Sequence, residues 1–292
     1  MVVCSLTGGI GNQLFQYAMA KAVSERTNSE LLFDITSFKW DSLRDFELES
    51  LGLDYSIVPN ELVEYLKSDP MTIQQKIKVK LNIPLKYYHK VYIKEKKFEF
   101  DPNFKKFRSK KVYFEGYWQS EKYFKSIRAK ILQDITFKGV SNECMNFSKT
   151  ILTKKETVSI HVRRGDYFTN PETTNYHGLT DYLYYKSAIE LIKEKINNPY
   201  FFVFSDDKKY VKEIFGDIEN LIVVDFFDRG IDDLYLMSLC NHQIIANSSF
   251  SWWGAWLNKN SSKIVVSPKQ WFQNKEMQLQ TNDLIPTEWI RL

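Results

Sequence analysis

The sequence predicts an α/β protein, and three features carry that prediction. Residues 1–34 follow the order strand, glycine turn, helix, strand, and from residue 157 onward short apolar runs alternate with helical stretches. Such alternation is typical of βαβ units and of a parallel, doubly wound sheet. Polar and charged residues follow every apolar run of the second half, so we expect them to gather at one edge of that sheet.

The composition allows substantial hydrophobic cores and excludes a nucleic-acid binder. The chain has 292 residues, 43% hydrophobic and 15% aromatic, which suits one large or two medium domains. A net charge of +4, from 40 basic and 36 acidic residues, is far from a nucleic-acid signature. Much of the basic excess falls in residues 76–97 and 105–111. It is interpreted either as a solvated surface or as a loose contact with an anionic membrane face.

The cysteines and the chain start indicate a cytoplasmic protein. Three widely separated cysteines without a C-x-x-C pattern argue against a disulfide framework and against a zinc site. They are typical of a reducing compartment. No signal-peptide pattern opens the sequence, and no apolar run reaches the roughly 20 residues of a membrane span, so we expect no transmembrane helix.

The first half opens with a βαβ pattern around Gly8-Gly9-x-Gly11. The full dinucleotide-binding spacing is absent, so these glycines either let helix and strand pack closely or let the backbone approach a ligand. Residues 36–110 show little clear periodicity, and the role of residues 70–110 is left open. The elements predicted in this half are strands at 1–6, 29–34 and 112–118, and helices at 14–26, 59–67, 120–133 and 143–153.

The second half is more regular, and a soft boundary near residue 150 divides the chain into domains 1–150 and 151–292. Five short strands joined by helices predict a parallel sheet whose strand ends converge on one edge. The predicted strands are 158–162, 200–204, 221–224, 243–246 and 263–266, and the helices between and after them are 182–196, 207–215, 232–239 and 249–257.

The segment Arg163-Arg164-Gly165-Asp166 follows the first of these strands. Each guanidinium is a permanently charged fork with five donors, so two adjacent forks suit a diphosphate. Asp166 would hold a guanidinium in place or act as a base. The alternative is an arginine pair that forms salt bridges at a domain edge.

Two further loops carry candidate binding residues. Asp206 or Asp207 would accept two hydrogen bonds from guanine, or would simply cap the next helix. Ser248 and Ser249, after Asn247, open another helix and would bind an anion or serve as its cap.

The remaining polar and aromatic residues are assigned no ligand. Three tryptophans, Trp252, Trp253 and Trp256, are expected to pack helix on sheet. No D-x-D triplet occurs and the four histidines are scattered, so we expect no metal site.

Four blocks of the sequence resemble glycosyltransferase family 11, the α-1,2-fucosyltransferases in their bacterial form. The H-x-R-R-x-D block is similar to one in α-1,6- and protein O-fucosyltransferases, so it indicates fucosyl transfer more than linkage. The blocks are residues 8–18 (GGIGNQLFQYA), 161–167 (HVRRGDY), 204–207 (FSDD) and 247–257 (NSSFSWWGAWL).

The resemblance implies a GT-B-like fold, with two Rossmann-like domains facing across a cleft. Residues 1–150 would form the acceptor side and residues 151–292 would bind GDP-fucose. It implies inverting transfer, without metal or other cofactor, to the 2-hydroxyl of a terminal β-galactoside on an oligosaccharide of a growing cell-surface glycan.

The resemblance also implies roles for particular residues. Arg163, beside Arg164, would contact the β-phosphate, and His161 and Asp166 would lie in the donor pocket. Asp206 and Asp207 would bind guanine, Ser248 and Ser249 the phosphates, and Asn12 would line the cleft from the other side.

The general base is the least defined part of the prediction. Asp166 is expected to be essential, as base or as a group that orients arginine, although two neighbouring cations make a carboxylate a weaker base. His177, in the loop that follows the same strand, is the alternative base because histidine titrates near neutral pH. Rival functions are a transferase of another linkage or another nucleotide sugar, and a non-catalytic binding module.

Overall fold

The computed structural model describes residues 1–67, 91–164, 178, 180–225 and 229–292. The chain divides into two compact units. The first consists of Met1–Leu48 and Leu53–Asp134, and the second of Glu49–Gly52 and Ile135–Leu292. Each unit is built around its own parallel sheet.

The first unit begins with the βαβ arrangement that the sequence predicts. Within the described residues its sheet has the order β3-β2-β1-β5-β4, and every neighbouring pair is parallel. The strands are β1 (Val2–Ser5), β2 (Leu31–Asp34), β3 (Ser56–Ile57), β4 (Val91–Lys94) and β5 (Val112–Glu115), and the helices are α1 (Ile10–Thr27), α2 (Asn60–Lys67) and α3 (Arg128–Asp134).

The predicted single helix at 120–133 is wrong in its first half. Two 3-10 turns occupy this stretch, Glu121–Tyr123 and Lys125–Ile127, before α3 begins. Phe124 between them has a φ of -137° and a ψ of 1°, which is not helical. Tyr123 packs its ring edge-on against Phe100, Phe104 and Trp118. This aromatic packing overrides the helical spacing of apolar residues.

The second unit contains a sheet in the order β11-β10-β9-β6-β7-β8, again parallel throughout its described residues. The strands are β6 (Thr157–Val162), β7 (Tyr200–Ser205), β8 (Leu221–Val223), β9 (His242–Ile244), β10 (Val265–Ser267) and β11 (Ile290–Arg291), and the helices are α4 (Asn142–Leu152), α5 (Tyr182–Lys195), α6 (Lys208–Phe215), α7 (Gly230–Leu239), α8 (Ser249–Leu257) and α9 (Lys275–Gln278).

The central strand β6 is buried along its whole length. It lies between β9 and β7, and its apolar side chains join those of β7 and α5 in one core cluster. Its polar residues Thr157, Ser159 and His161 alternate with the apolar ones and are buried as well, so both faces of the strand are covered. The polar residues that follow β6 therefore begin where the buried core ends.

The first unit ends at Asp134 and the second continues from Ile135, whereas the boundary predicted from the sequence lies near residue 150. Helix α4 spans this interval and packs on α7 of the second unit. The carboxylate of Asp232 in α7 accepts a hydrogen bond from the backbone nitrogen of Ser141 at 2.9 Å, and Cys144 contacts the carbonyl of Asp232. These contacts attach α4 to α7 and so to the second unit.

In the described part of the chain, none of the helices has the length and apolar character needed to cross a membrane. The three cysteines are buried free thiols, and burial raises the pKa of Cys144 to about 12. They therefore belong to the packed cores.

Candidate functional site

The candidate site lies where β6 ends at the carboxyl edge of the second sheet. Val162 is paired in register with Ser205 of the neighbouring parallel strand. Because these two parallel strands leave the sheet in the same direction, the residues that follow Val162 and Ser205 lie side by side. Arg163 therefore meets Asp206, and Arg164 meets Asp207.

Two ion pairs join these residues. The Nη1 atom of Arg163 lies 2.6 Å from Oδ2 of Asp206, and Nε of Arg164 lies 3.0 Å from Oδ2 of Asp207. Asp206 also accepts a hydrogen bond from the backbone nitrogen of Arg164 at 2.8 Å. One carboxylate thus holds both the side chain of the first arginine and the backbone of the second.

The Arg164 side chain is held from a second direction as well. Its guanidinium carbon lies 3.8 Å from the ring centroid of Tyr210, on the first turn of α6. Asp207 caps that helix, since its Oδ1 accepts from the backbone nitrogen of Tyr210 at 3.0 Å. The guanidinium of Arg164 is therefore both ion-paired and stacked, which restricts its rotamers.

The structure contains the two purely structural roles that the sequence offers for these residues. The arginines form salt bridges at a sheet edge, and Asp207 caps a helix. The roles of Asp206 and Asp207 toward guanine remain predictions. All four side chains keep some contact with solvent, with exposures of 18% to 34%, so the cluster is accessible from the sheet edge.

His161 lies beneath this cluster, in β6 itself. It is 5% exposed, its ring centroid is 5.3 Å from that of Phe250, and its carbonyl accepts a hydrogen bond from the hydroxyl of Tyr185. Its Nδ1 has no hydrogen-bond partner among the described residues. Burial lowers the pKa of His161 to about 4, while the charge of Asp206 raises it and that of Arg163 lowers it further. The ring is therefore neutral at pH 7.

Ser248 caps α8. Its hydroxyl accepts from the backbone nitrogen of Phe250 at 3.3 Å, and its carbonyl accepts from that of Trp252. Asn247 is engaged elsewhere: its amide donates to the carbonyls of Gly178 and Trp271 and accepts from the hydroxyl of Thr180. The phosphate-binding roles of Ser248 and Ser249 stay predictions.

The tryptophans of α8 are packed as the sequence predicts. Trp252, Trp253 and Trp256 are at most 2% exposed, and the indole nitrogen of Trp252 donates to the carbonyl of Leu284. A Cβ at Gly254 would lie 3.1 Å from Met237, so a glycine here allows α7 and α8 to approach closely.

Asn12 belongs to the first unit and lies in the first turn of α1, which follows the glycine turn. Its Oδ1 accepts a hydrogen bond from Gln119 at 2.7 Å. Gly8 has a φ of +74°, and a Cβ there would come within 2.5 Å of the Asn12 amide nitrogen. Gly8 is therefore required by the local backbone and packing, whereas a Cβ at Gly9 would make only an ordinary contact with Arg44 at 3.8 Å. The contribution of Asn12 to a donor site stays a prediction.

Asp166 and His177, the two candidate bases, lie outside the described residues. No group of three or more histidine, cysteine, aspartate or glutamate side chains suited to a metal ion occurs within the described ranges. The metal-free prediction is left for experiment.

Sequence reasoning missed two contacts of the site, one between Tyr210 and Arg164 and one between Thr180 and Asn247. Tyr210 stacks on Arg164, and its position three residues after a predicted capping aspartate was the available signal. Thr180 and Asn247 connect the end of the loop after β6 to the start of α8, a contact between distant residues for which the sequence carries no local signal.

Comparison with known proteins gives a consistent family assignment. The sequence profile described as Glycosyl transferase family 11 matches residues 1–292. An alpha-1,2-colitosyltransferase of Escherichia coli is 36% identical over 300 residues, covering 100% of this chain and 99% of that protein. The O-antigen biosynthesis glycosyltransferase WbnK of Escherichia coli is 33% identical, covering 98% and 99%.

More distant similarities extend to eukaryotic proteins. Galactoside 2-alpha-L-fucosyltransferase SEC1 of Bos taurus is 28% identical over 155 residues, which cover 50% of this chain and 42% of that protein. A solved structure of an Arabidopsis thaliana FUT1 mutant in complex with GDP has a TM-score of 0.51 at 12% identity, covering 90% of this chain and 69% of that one. The architecture is GT-B-like, with two Rossmann-like units.

The depressed pKa of His161 predicts a pH dependence of stability. A histidine in the unfolded chain titrates near 6.5, whereas buried His161 has a pKa of about 4. The neutral ring therefore contributes its full stability to the folded protein above pH 6.5, and this contribution is lost as the pH falls towards 4. We expect the difference in unfolding free energy between wild type and His161→Gln to shrink by on the order of 3 kcal/mol over this window. Urea denaturation at pH 7.5, 6 and 4.5 measures it.

Groups that titrate equally in both proteins cancel in that difference, so the variant is its own control. A gap that stays constant from pH 7.5 to 4.5 would show that His161 protonates normally in the folded protein.

Proposed function

The chain belongs to glycosyltransferase family 11, and we propose that it transfers L-fucose from GDP-β-L-fucose to the 2-hydroxyl of a terminal β-galactoside. The product linkage is α-1,2, the reaction inverts the anomeric centre, and the acceptor is an oligosaccharide of a cell-surface glycan. One observation carries the proposal: the arginine pair Arg163-Arg164 is held at the carboxyl edge of the sheet by Asp206 and Asp207.

The chemistry explains why such a pair matters. The acceptor oxygen forms a bond to the anomeric carbon as the bond from that carbon to the β-phosphate oxygen breaks, and GDP leaves with the electron pair. Negative charge grows on the departing diphosphate, while the acceptor proton passes to a base. Preorganised donors aimed at the developing charge accelerate such a step. Arg163 and Arg164 supply them in this proposal, and no metal ion takes part.

A second donor has direct support from a relative. The Escherichia coli protein at 36% identity is a colitosyltransferase, and colitose is fucose without its 3-hydroxyl. A sugar pocket that hydrogen-bonds the 3-hydroxyl rejects an analogue that lacks it by a large factor, whereas an apolar pocket does not. GDP-colitose is therefore the alternative donor.

A donor panel tests the proposed function. Purified protein is incubated with lactose and either GDP-fucose, GDP-colitose or UDP-galactose, with and without EDTA, and the product linkage is determined. We expect transfer from GDP-fucose to O2 of galactose, unaffected by EDTA. A product substituted at O3 or O6, a preference for UDP-galactose, or an absolute requirement for Mg²⁺ or Mn²⁺ would contradict the proposal. A higher kcat/KM for GDP-colitose than for GDP-fucose would show that colitose is the sugar transferred, and the proposed linkage and metal independence would stand.

Arg163 is predicted to be essential in a way that lysine does not restore. Loss of one preorganised donor to a developing charge lowers kcat on the order of 10²–10³-fold. A lysine is a point charge and cannot reproduce the planar fork. We expect both Arg163→Ala and Arg163→Lys to lose turnover to this degree while the exposed control Arg108→Ala retains it. Activity of either Arg163 variant within a few-fold of wild type would remove Arg163 from the mechanism.

Asp166 and His177 are distinguished by separating nucleotide binding from turnover. Asp166→Asn and His177→Ala are each assayed for GDP affinity and for kcat. A base contributes to kcat alone, whereas a group that orients arginine contributes to both. We expect Asp166→Asn to lose turnover. If it keeps both properties near the wild-type values, the assignment of Asp166 is wrong, and a selective loss of kcat in His177→Ala would identify the base instead.

A further inference from the structure

The segment 39–47 of the first unit carries two exposed apolar side chains. Trp40 is 88% exposed and Leu43 is 73% exposed. The other six tryptophans of the chain are at most 6% exposed. We propose that Trp40 and Leu43 form a stacking surface for the acceptor sugar, a subsite that extends the proposed function and rests on it.

Hydrogen bonds place Trp40 at the carboxyl edge of the first sheet. The hydroxyl of Ser37 donates to the carbonyl of Leu6, just beyond β1, and the backbone nitrogen of Trp40 donates to the carbonyl of Ser37. The Asp34 side chain, at the end of β2, accepts from the backbone nitrogen of Thr36. Open α/β sheets bind their ligands at this edge. Trp40 therefore lies in a position suited to ligand contact.

The base of the segment is firmly anchored, so the exposure of Trp40 belongs to an ordered loop. Gln13 is fully buried, and its Nε2 donates at 2.8 Å to the carbonyls of both Gly8 and Asp45. Its Oε1 accepts from the backbone nitrogen of Glu47 at 2.9 Å. A preorganised surface loses less conformational entropy on binding.

The charges of the segment favour a neutral ligand. The Glu47 carboxylate accepts a hydrogen bond from the backbone nitrogen of Ile10 at 3.0 Å and so takes the place that a phosphate would occupy at the start of α1. Asp41 accepts from the backbone nitrogens of Leu43 and Arg44. Residues 39–47 carry three carboxylates and two cations, so the loop lacks the cluster of basic residues that attracts a diphosphate or an anionic membrane.

A neutral sugar suits the exposed surface of Trp40 and Leu43. A pyranose presents an apolar face of C–H groups to an indole and hydroxyls at its rim, and tryptophan offers a large rigid surface for the former. Asn12, next to Gln13 in the first turn of α1, is partly exposed. Its Oδ1 is bound by Gln119, and among the described residues its amide nitrogen has no partner. That nitrogen is a donor suited to a sugar hydroxyl.

Fluorescence quenching isolates this one tryptophan. Acrylamide reaches exposed indoles, and Trp40 is the exposed one of seven, so quenching in wild type reports on this residue and should largely vanish in Trp40→Phe. We expect lactose, added with saturating GDP, to protect Trp40, while cellobiose and GDP alone do not. Protection by GDP alone, or equal quenching with and without lactose, would overturn the subsite.

Kinetics provide the second readout. We expect Trp40→Ala to raise the KM for lactose by roughly fivefold to tenfold, as loss of an aromatic contact predicts, and to leave the KM for GDP-fucose unchanged. Trp40→Phe should recover most of the loss. Leu43→Ala should raise the KM for lactose, whereas Leu279→Ala, equally exposed at 75% but in the second unit, should not.

The outcomes separate the subsite from the proposed function. If transfer to lactose proceeds but Trp40→Ala has a wild-type KM, the subsite is wrong and the function stands. If no GDP-sugar is transferred, the function fails; protection of Trp40 by lactose would then still support a galactoside subsite. Protection and a blue shift with phosphatidylglycerol vesicles, in place of lactose, would make the segment a membrane contact and overturn the proposal.

Discussion

The ion pair between Arg163 and Asp206 is the interaction on which the candidate site depends. Asp206 contacts the side chain of Arg163 and the backbone of Arg164, so one carboxylate positions the first residues beyond the buried strand β6. Two arginines side by side repel each other and would otherwise point apart. Compensation by Asp206 and Asp207 keeps both cations at one edge, at the cost of neutralising part of the charge that an anion would meet.

Parallel strand register produces this arrangement. Val162 and Ser205 are paired, so each chain delivers its next two residues to the same edge, and opposite charges at matching positions meet. The first unit also has a parallel sheet, but its carboxyl edge carries different groups. There the Glu47 carboxylate accepts a hydrogen bond at the N-terminus of α1, and the exposed side chain of Trp40 is aromatic. Two similar sheets thus present chemically distinct edges: one carries two arginines paired with two aspartates, and the other carries an exposed indole.

Much of this was predictable from the sequence. The elements from β6 to α8 follow period and turn residues, and helix 249–257 was predicted with its observed bounds. The strands β3 and β11 have two residues each, too few for any period, and the Tyr123 region follows its aromatic packing. Predicting the ion pairs requires the register between two strands that are more than 40 positions apart in the sequence. No local sequence pattern encodes that register. The sequence therefore indicates all four residues, Arg163, Arg164, Asp206 and Asp207, but not which arginine pairs with which aspartate.

The most direct test compares GDP with inorganic pyrophosphate in calorimetric titrations of wild type and Asp206→Asn. The variant removes a negative charge next to two arginines, so simple electrostatics favours tighter anion binding. If Asp206 positions those arginines, as our account holds, both ligands should instead bind more weakly, by roughly tenfold for a lost charged hydrogen bond. Pyrophosphate binding that is unchanged or tighter in Asp206→Asn would contradict the account, and loss for GDP alone would assign Asp206 to guanine.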